Sequence, residues 1–277
     1  MKNIVVLINE LSEIQPVLEK GANEIVMGIK DYTFSAIKKH SIDDMRNHSV
    51  LMNRFYFPNE MDLLKQQLKD LKERNVNHIY FCDPSVYYYA KDLDLVNHLI
   101  YKPDTLTVSA NDVAFWKERG IYTSSLSPLI TEEETDKILD EAENVEVTIH
   151  GHILMSASKR QLLSSYFEDS KQPVQQEKVF YLKEMKREDL MPIYEDDLGT
   201  YIYSDFVLNS FEEITSFHTD RFFIDGIFLS TDELSDAVEA YRNILNGKDA
   251  QIEKENYQAK YANLKFSSGY YKEKTIK

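Results

Sequence analysis

From Ile4 to Ile149 the sequence alternates short β-prone apolar runs with amphipathic helical runs. That rhythm restricts the chain to a parallel α/β architecture. Ile4–Ile8 is a continuous apolar run of strand length, suited to a strand buried on both faces. Glu10–Lys20 then places Leu11, Ile14, Val17 and Leu18 at helical spacing, with Gly21 as its stop. Glu24–Gly28, Val50–Phe57, His78–Cys82, Asn97–Tyr101, Ile121–Ser124 and Val145–Ile149 read as further strands. Between them fall a short helix in Ser41–Asn47 and a strong amphipathic helix over Glu60–Arg74, with Asn59 as its expected N-cap. A helix from Asp83-Pro84 to Leu93 and one over Ala110–Arg119 follow. Thr131 with Glu134 three residues on forms a capping box, and opens a helix reaching about Glu143.

The rhythm then breaks. Residues 166–200 carry no clean helical pattern, and Phe180–Met185, Ile193–Tyr194 and Thr200–Tyr203 read as strands. With Asp197-Leu198-Gly199 as a hairpin turn, this is a β-rich insertion near 166–205. A short helix over Ser210–Phe217, a strand over Arg221–Phe228 and a helix over Thr231–Leu245 restore the pattern. Eight βα-like units joined by right-handed crossovers predict a TIM-type (β/α)8-like barrel, with an open doubly wound sheet as the alternative. The expected organisation is a barrel domain over 1–246, including the insertion, and a C-terminal helix and extended tail over 247–277.

Composition removes several function classes. Lys+Arg 32 against Asp+Glu 47 gives a net charge of −15, so a broad cationic field for nucleic acid is excluded. Cys 1 excludes an intramolecular disulfide and any all-cysteine metal or iron–sulfur site within one chain. Neither GxGxxG nor GxxxxGK[ST] occurs. Met1–Ile8 lacks the long apolar region and small-residue cleavage site of a signal peptide, and no apolar stretch approaches a membrane span. The expectation is a cytoplasmic protein with no membrane partner.

Few residues point to chemistry. His150-Gly151-His152 follows the seventh strand, where a barrel gathers its active site. No nearby carboxylate completes a metal set, so no metal is expected. Ser156-Ala157-Ser158-Lys159-Arg160 is the densest basic and small-polar stretch; Lys159 and Arg160 suit anion contacts at the barrel mouth, and Ser156 with Lys159 has the spacing of a Ser–Lys pair. Cys82 reads as a buried structural cysteine. Tyr87-Tyr88-Tyr89 reads as helix packing with at most two rings facing the core. Glu195-Asp196-Asp197 reads as solvated hairpin carboxylates, with cation binding as the alternative. The candidate substrate-binding residues are His150, Lys159, Arg160 and Glu195. An Arg fork of this kind suits a small carboxylate metabolite.

Several segments together resemble the peptidase U32 family, historically the collagenase-like proteases. Gly21–Gly28 (GANEIVMG) resembles GAD-x-[VI]-Y-x-G, and Asn75–Ser85 (NVNHIYFCDPS) resembles GVDAIIVSDPG. Phe115–Gly120 resembles FWKELG, and His150–Ser164 (HGHILMSASKRQLLS) matches HGAxCxxxSGRCLLS without gaps. Pro192–Ile202 resembles PIxEDExGTYI, and Phe223-Ile224-Asp225-Gly226 stands at F-K-I-[ED]-G. The resemblance spans about residues 1–245.

This resemblance implies a barrel, and in members that hydroxylate RNA, tRNA or quinones it implies an iron–sulfur cluster on four cysteines. Leu154, Gln161 and Leu208 stand at three of those positions, and the fourth falls in the insertion, where no Cys occurs. No cofactor is therefore expected. The chain resembles the shorter, cysteine-poor member of paired U32-like proteins of Firmicutes implicated in 5-hydroxylation of the tRNA wobble uridine, including its Ser268–Glu273 end. That likeness implies an accessory, cluster-free subunit partnered by a cluster-bearing paralogue, meeting tRNA through the complex. It also associates the pathway with a dicarboxylate, prephenate. A peptidase, as the family name suggests, and a carboxylate-binding barrel are the alternatives.

Overall fold

The protein was analysed as a computed structural model that describes residues 2–45, 47–171, 179–183, 185 and 188–272. Parts of the expected helix at Ser41–Asn47, of the β-rich insertion and of the C-terminal end (Glu273 onward) lie outside the described residues. In chain order the elements are β1 (Asn3–Ile8), α1 (Ile14–Glu19), β2 (Glu24–Gly28), β3 (Ser49–Met52), α2 (Met61–Glu73), β4 (Ile79–Phe81) and α3 (Pro84–Ala90). Then come β5 (Leu99–Tyr101), α4 (Ala110–Lys117), β6 (Thr123–Ser125), α5 (Glu132–Glu141), β7 (Val145–Ser158) and α6 (Leu162–Ser170). The chain continues with β8 (Val179–Lys183), β9 (Leu190–Asp196), β10 (Gly199–Asn209), β11 (Arg221–Asp225), α7 (Thr231–Leu245), α8 (Ala250–Lys260) and β12 (Phe266–Ser267).

Strands β1 to β7 pair in sequence order, all parallel, and β11 lies between β7 and β1. The eight strands close a (β/α)8 barrel of the TIM type, as the rhythm predicts. Inward-facing Val5, Leu7, Val26, Leu51, Tyr80, Ile100 and Phe223 fill the barrel, and the outward faces pack beneath the helices in a larger core. This two-sided burial is why Ile4–Ile8 reads as an unbroken apolar run. The capping box at Thr131 forms as read, with its hydroxyl accepting from the Glu134 amide at 3.2 Å. Tyr88 alone of the three consecutive tyrosines is mostly exposed. Asn59 is not the cap of α2: Pro58–Glu60 makes a single 3-10 turn, and Glu60 occupies the N-cap position.

The seventh strand does not end at Ile149. It runs on to Ser158, with its first half parallel to β11 and its second half antiparallel to β10. Gly151 marks the change, at φ +117°, and an added Cβ there would collide with the Asp225 carbonyl. The register with β11 slips at the same place, between Phe223 and Ile224. Beyond it β7 stands above the barrel and carries the antiparallel β10–β9–β8 sheet. The turn between β9 and β10 is the expected Asp197-Leu198 hairpin, with the Leu198 amide on Asp196 Oδ1 at 2.8 Å. Helix α6 was not legible in the sequence because its N-terminus is capped from far along the chain. Glu195 accepts from the Leu163 amide at 2.7 Å and the Ser164 amide at 3.0 Å.

The expected extended tail is instead docked as far as Lys272. β12 pairs with β10, and Tyr271 is buried with its hydroxyl 2.8 Å from Ser210 Oγ. Aromatic anchors spaced through this polar stretch supply the burial that holds it. Helix α8 lies on α7, and its Tyr257 hydroxyl donates to the Glu233 carbonyl at 2.9 Å.

Arg221 crosses the floor of the barrel. Its Nε donates to Glu146 Oε2 at 2.9 Å, and its Nη2 donates to Glu24 Oε2 at 2.7 Å and to the Tyr80 hydroxyl at 2.6 Å. Glu24 Oε1 also accepts from Ser49 at 2.5 Å and from His78 Nδ1 at 2.8 Å. Burial pushes the Glu24 carboxyl up, but the His78 hydrogen bond and the Arg221 charge prevail and hold it at about 2. Removing one partner of such a network strands the others without a counter-charge. Arg221→Ala is therefore expected to lower unfolding free energy by about 3–5 kcal/mol in urea titrations. A loss below about 1 kcal/mol, the scale of an exposed pair, would show that the network does not hold the barrel.

Candidate functional site

The C-terminal strand ends meet at the barrel mouth. A small cavity of about 20 Å³ there is lined by Ser35, Asn53, Lys102, Asp104, His152 and Asp225, among others. It has room for about one water. It adjoins an outer cleft of about 190 Å³ with Phe34, Phe55, Cys82, Pro103 and Met155 in its walls. Asn53, Asp104 and Leu154 line both. A larger depression, about 640 Å³, lies at the opposite rim beside Lys2, Asn144 and Asp220. Arg221, the charge behind it, is committed to the floor network, and barrel sites form at the other end.

Lys102 follows β5 and is only 5% exposed. Its ammonium lies 3.3 Å from Asp104, 3.5 Å from Thr148 Oγ1 and 4.4 Å from the centre of the Phe223 ring. Asp225 ends β11, and its Oδ1 accepts from the Ile227 amide at 3.0 Å. Burial raises its carboxyl to about 6 despite the nearby Lys102 charge. His152 Nδ1 lies 2.8 Å from the Ser204 carbonyl. A carbonyl only accepts, so Nδ1 carries the proton and Nε2 keeps a lone pair. Burial lowers the His152 pKa, which keeps the ring neutral. A fixed ammonium, a carboxyl that titrates near neutrality and a neutral imidazole in one cavity can bind a polar group and exchange a proton with it. Cys82 Sγ donates to the Asn53 carbonyl at 3.1 Å, and burial raises its thiol well above the ordinary range, so it is held as an unreactive thiol.

The residues read from the sequence are not gathered at this point. His150 lies in the wall, fully buried between β7, α7 and α8. Its ring nitrogens are 3.3 Å from the Tyr241 and Tyr257 hydroxyls. Burial takes its pKa down to about 3. Lys159 sits at the rim, bonded to the Phe55 carbonyl at 2.9 Å and Glu60 at 3.3 Å, with the Phe57 ring 3.5 Å beneath it. That engagement is with Glu60 and not with Ser156. Arg160 is exposed beside it, and its carbonyl accepts from Thr200 Oγ1 at 2.8 Å. Glu195 caps α6 and is occupied by amides and hydroxyls, which outweigh burial and lower its pKa. Sequence reading missed Lys102 and Asp225. Their one signal is a charged residue placed directly after an apolar strand run, Leu99-Ile100-Tyr101 and Phe222-Phe223-Ile224.

The three positions aligned with cluster cysteines do not fit an iron–sulfur cluster. Leu154 packs with Phe34 and Tyr203, Leu208 is buried in the outer core, and Gln161 precedes α6. These side chains offer no thiolate and lie in separate surroundings. Among the described residues no group of three or more His, Cys, Asp or Glu is placed to hold a metal, and no helix is long and apolar enough to cross a membrane.

Residues 9–277 match Peptidase family U32. The chain is 23% identical to "tRNA hydroxylation protein P2" of Bacillus subtilis (strain 168), over 96% of each protein. No solved structure matches.

The buried imidazole has a consequence for acid stability. His150 stays neutral in the folded state down to about pH 3, whereas the unfolded chain protonates it near 6.5. Stability contributed this way is complete above pH 6.5 and is withdrawn as pH falls toward 3, by on the order of 4 kcal/mol. His150→Phe is expected to flatten unfolding free energy against pH in that window. An unchanged slope would show that another group governs it.

Proposed function

The chain belongs to peptidase family U32, and from that premise we propose that it acts in tRNA wobble-uridine 5-hydroxylation as a cluster-free subunit. The observation that carries this reading is the likeness to a tRNA hydroxylation protein over 96% of both chains. Leu154, Gln161 and Leu208 supply no cluster ligands, so the reading assigns the redox step to a partner, a cluster-bearing member of the same family. A net charge of −15 fits the same division, because a polyanion needs cationic surface to be drawn in. In this reading the partner supplies most of the tRNA contact, and the pair works in the cytoplasm, where tRNA is modified.

A peptidase finds less support in the residues. Lys159 is engaged by Phe55 and Glu60, and Cys82 is bonded to the Asn53 carbonyl with a raised pKa. Neither arrangement supplies an activated nucleophile.

The test is a deletion strain of the native organism together with a pull-down of the tagged protein. Loss of 5-hydroxyuridine from tRNA by mass spectrometry, and recovery of a cysteine-bearing family member, is the expected result. Unchanged tRNA would overturn the reading. Loss of the modification with no such partner would overturn the subunit assignment.

A further inference from the structure

Most polar atoms around the inner cavity are already committed. The Asn53 carboxamide accepts from the Phe34 amide at 2.9 Å and donates to Ser35 Oγ at 2.8 Å. The Tyr203 hydroxyl donates to the Ser35 carbonyl. Among the described residues lining the cavity, Lys102, His152 and Asp225 keep unused capacity. The Lys102 ammonium faces Asp104 at 3.3 Å and Thr148 Oγ1 at 3.5 Å, a long contact, and a third N–H remains. His152 Nδ1 is fixed on the Ser204 carbonyl at 2.8 Å, which leaves the Nε2 lone pair free. Asp225 accepts from the Ile227 amide on Oδ1, and its Oδ2 has no hydrogen-bond partner among the described residues.

One donor and two acceptors around about 20 Å³ define the occupant. The space is that of a single water-sized particle. A cation cannot accept from Lys102, and an anion cannot donate to His152 Nε2 or to the Asp225 carboxylate. Water accepts one hydrogen bond here and donates two, the three-bond pattern usual for buried water. It also serves Asp225 in either state. Burial raises that carboxyl to about 6, so it changes state within the ordinary pH range. Ionised, it accepts from the water. Protonated, it donates to the water's second lone pair, and the bond to His152 is kept. The other titratable groups lining the cavity are Lys102, Asp104, His152 and Tyr203. Burial lowers the His152 pKa and pushes the Tyr203 hydroxyl well above the ordinary range, so both stay neutral. The Lys102 charge favours the Asp225 carboxylate, and the Asp104 charge opposes it.

We propose that the inner cavity binds a single water that joins Lys102, His152 and Asp225 into one proton-sharing unit at the foot of the outer cleft. The cleft touches none of these three residues, but Asn53, Asp104 and Leu154 line both spaces. The water therefore stands between the three groups and any molecule in the cleft. A proton leaving Asp225 passes to the water as the water hands one of its own to an acceptor in the cleft. The water is neutral before and after, and the negative charge stays on Asp225 beside Lys102. The site does not depend on the tRNA reading, and a deletion strain with unchanged tRNA leaves it standing.

The test is a crystal structure of the full-length protein at a resolution that shows ordered water, joined to NMR titration of the same protein. One water is expected within about 3.2 Å of Lys102 Nζ, His152 Nε2 and Asp225 Oδ2. A dry cavity, a side chain filling it, or an ion in its place overturns the proposal. In the titration the His152 Nε2 resonance, from a ring that stays neutral, is expected to move with the Asp225 carboxyl midpoint near 6, because the water reorients as Asp225 changes state. A His152 signal indifferent to that midpoint overturns the proton-sharing unit. His152→Phe replaces one neutral ring with another, so it leaves the charge around Asp225 unchanged and removes one acceptor of the water. Loss of the water then withdraws solvation from the Asp225 carboxylate, and its midpoint is expected to rise by about half a pH unit or more. An unmoved midpoint in a variant folded by circular dichroism overturns the coupling as well.

Discussion

Closure of the barrel depends on an ion network at its floor. Arg221 on β11 reaches Glu146 on β7, Glu24 on β2 and Tyr80 on β4, and Glu24 extends the network to Ser49 on β3. Strand β11 is the last to enter, because the insertion separates it from β7 in sequence. Parallel pairing between such distant segments pays loop-closure entropy before it gains contacts. A buried guanidinium with three fixed partners sets the register of that late strand: Arg221 sits opposite Glu146, and Phe222 opposite Val147. The Glu146, Glu24 and Tyr80 partners offset the desolvation of Arg221, and its pKa is raised rather than lowered. The floor is therefore held by charge, and the middle of the barrel is filled by hydrocarbon and rings.

The mouth is organised differently. At Gly151 the long β7 leaves the barrel and becomes the support of the antiparallel sheet. This bulge turns His150 outward into the tyrosine pocket beneath α7 and α8 and leaves His152 on the cavity. Two histidines separated by one residue thus have opposite roles: one is a buried packing group, the other keeps a free lone pair. A left-handed glycine between them is the local condition for that separation. At the floor Arg221 is matched by Glu146, Glu24 and Tyr80, although Glu146 Oε1 is buried without a partner. The mouth leaves Lys102 and Asp225 unpaired with each other, which is the usual mark of a site that completes itself with a ligand.

The sequence carried the fold better than the site. Strand-length apolar runs and capped helices are local, so β1, β2, α2, α5 and α7 were legible to within a residue or two. What was not legible came from contacts distant in sequence. The second half of β7 is a strand only because β10 pairs with it, α6 is capped by Glu195 some thirty residues on, and the C-terminal stretch is ordered by Tyr271 reaching Ser210. The aromatic run Phe55-Tyr56-Phe57 has strand propensity, yet it leaves β3 at Met52 and forms the rim. The site was obscured for the same reason. Lys102, His152 and Asp225 come from three strands separated by up to 123 residues (225 − 102), and only barrel closure brings them together. The basic run at Lys159-Arg160 stands out in the sequence, but Lys159 is engaged by Glu60 and the Phe57 ring.

Charge also decides what can approach the mouth. The protein carries −15 overall, and the rim cations Lys39, Arg54 and Lys159 are each paired with a carboxylate, Asp196 or Glu60. Such pairs present little net field beyond a Debye length. A polyanion approaching this face alone would be repelled by the whole molecule before meeting the mouth.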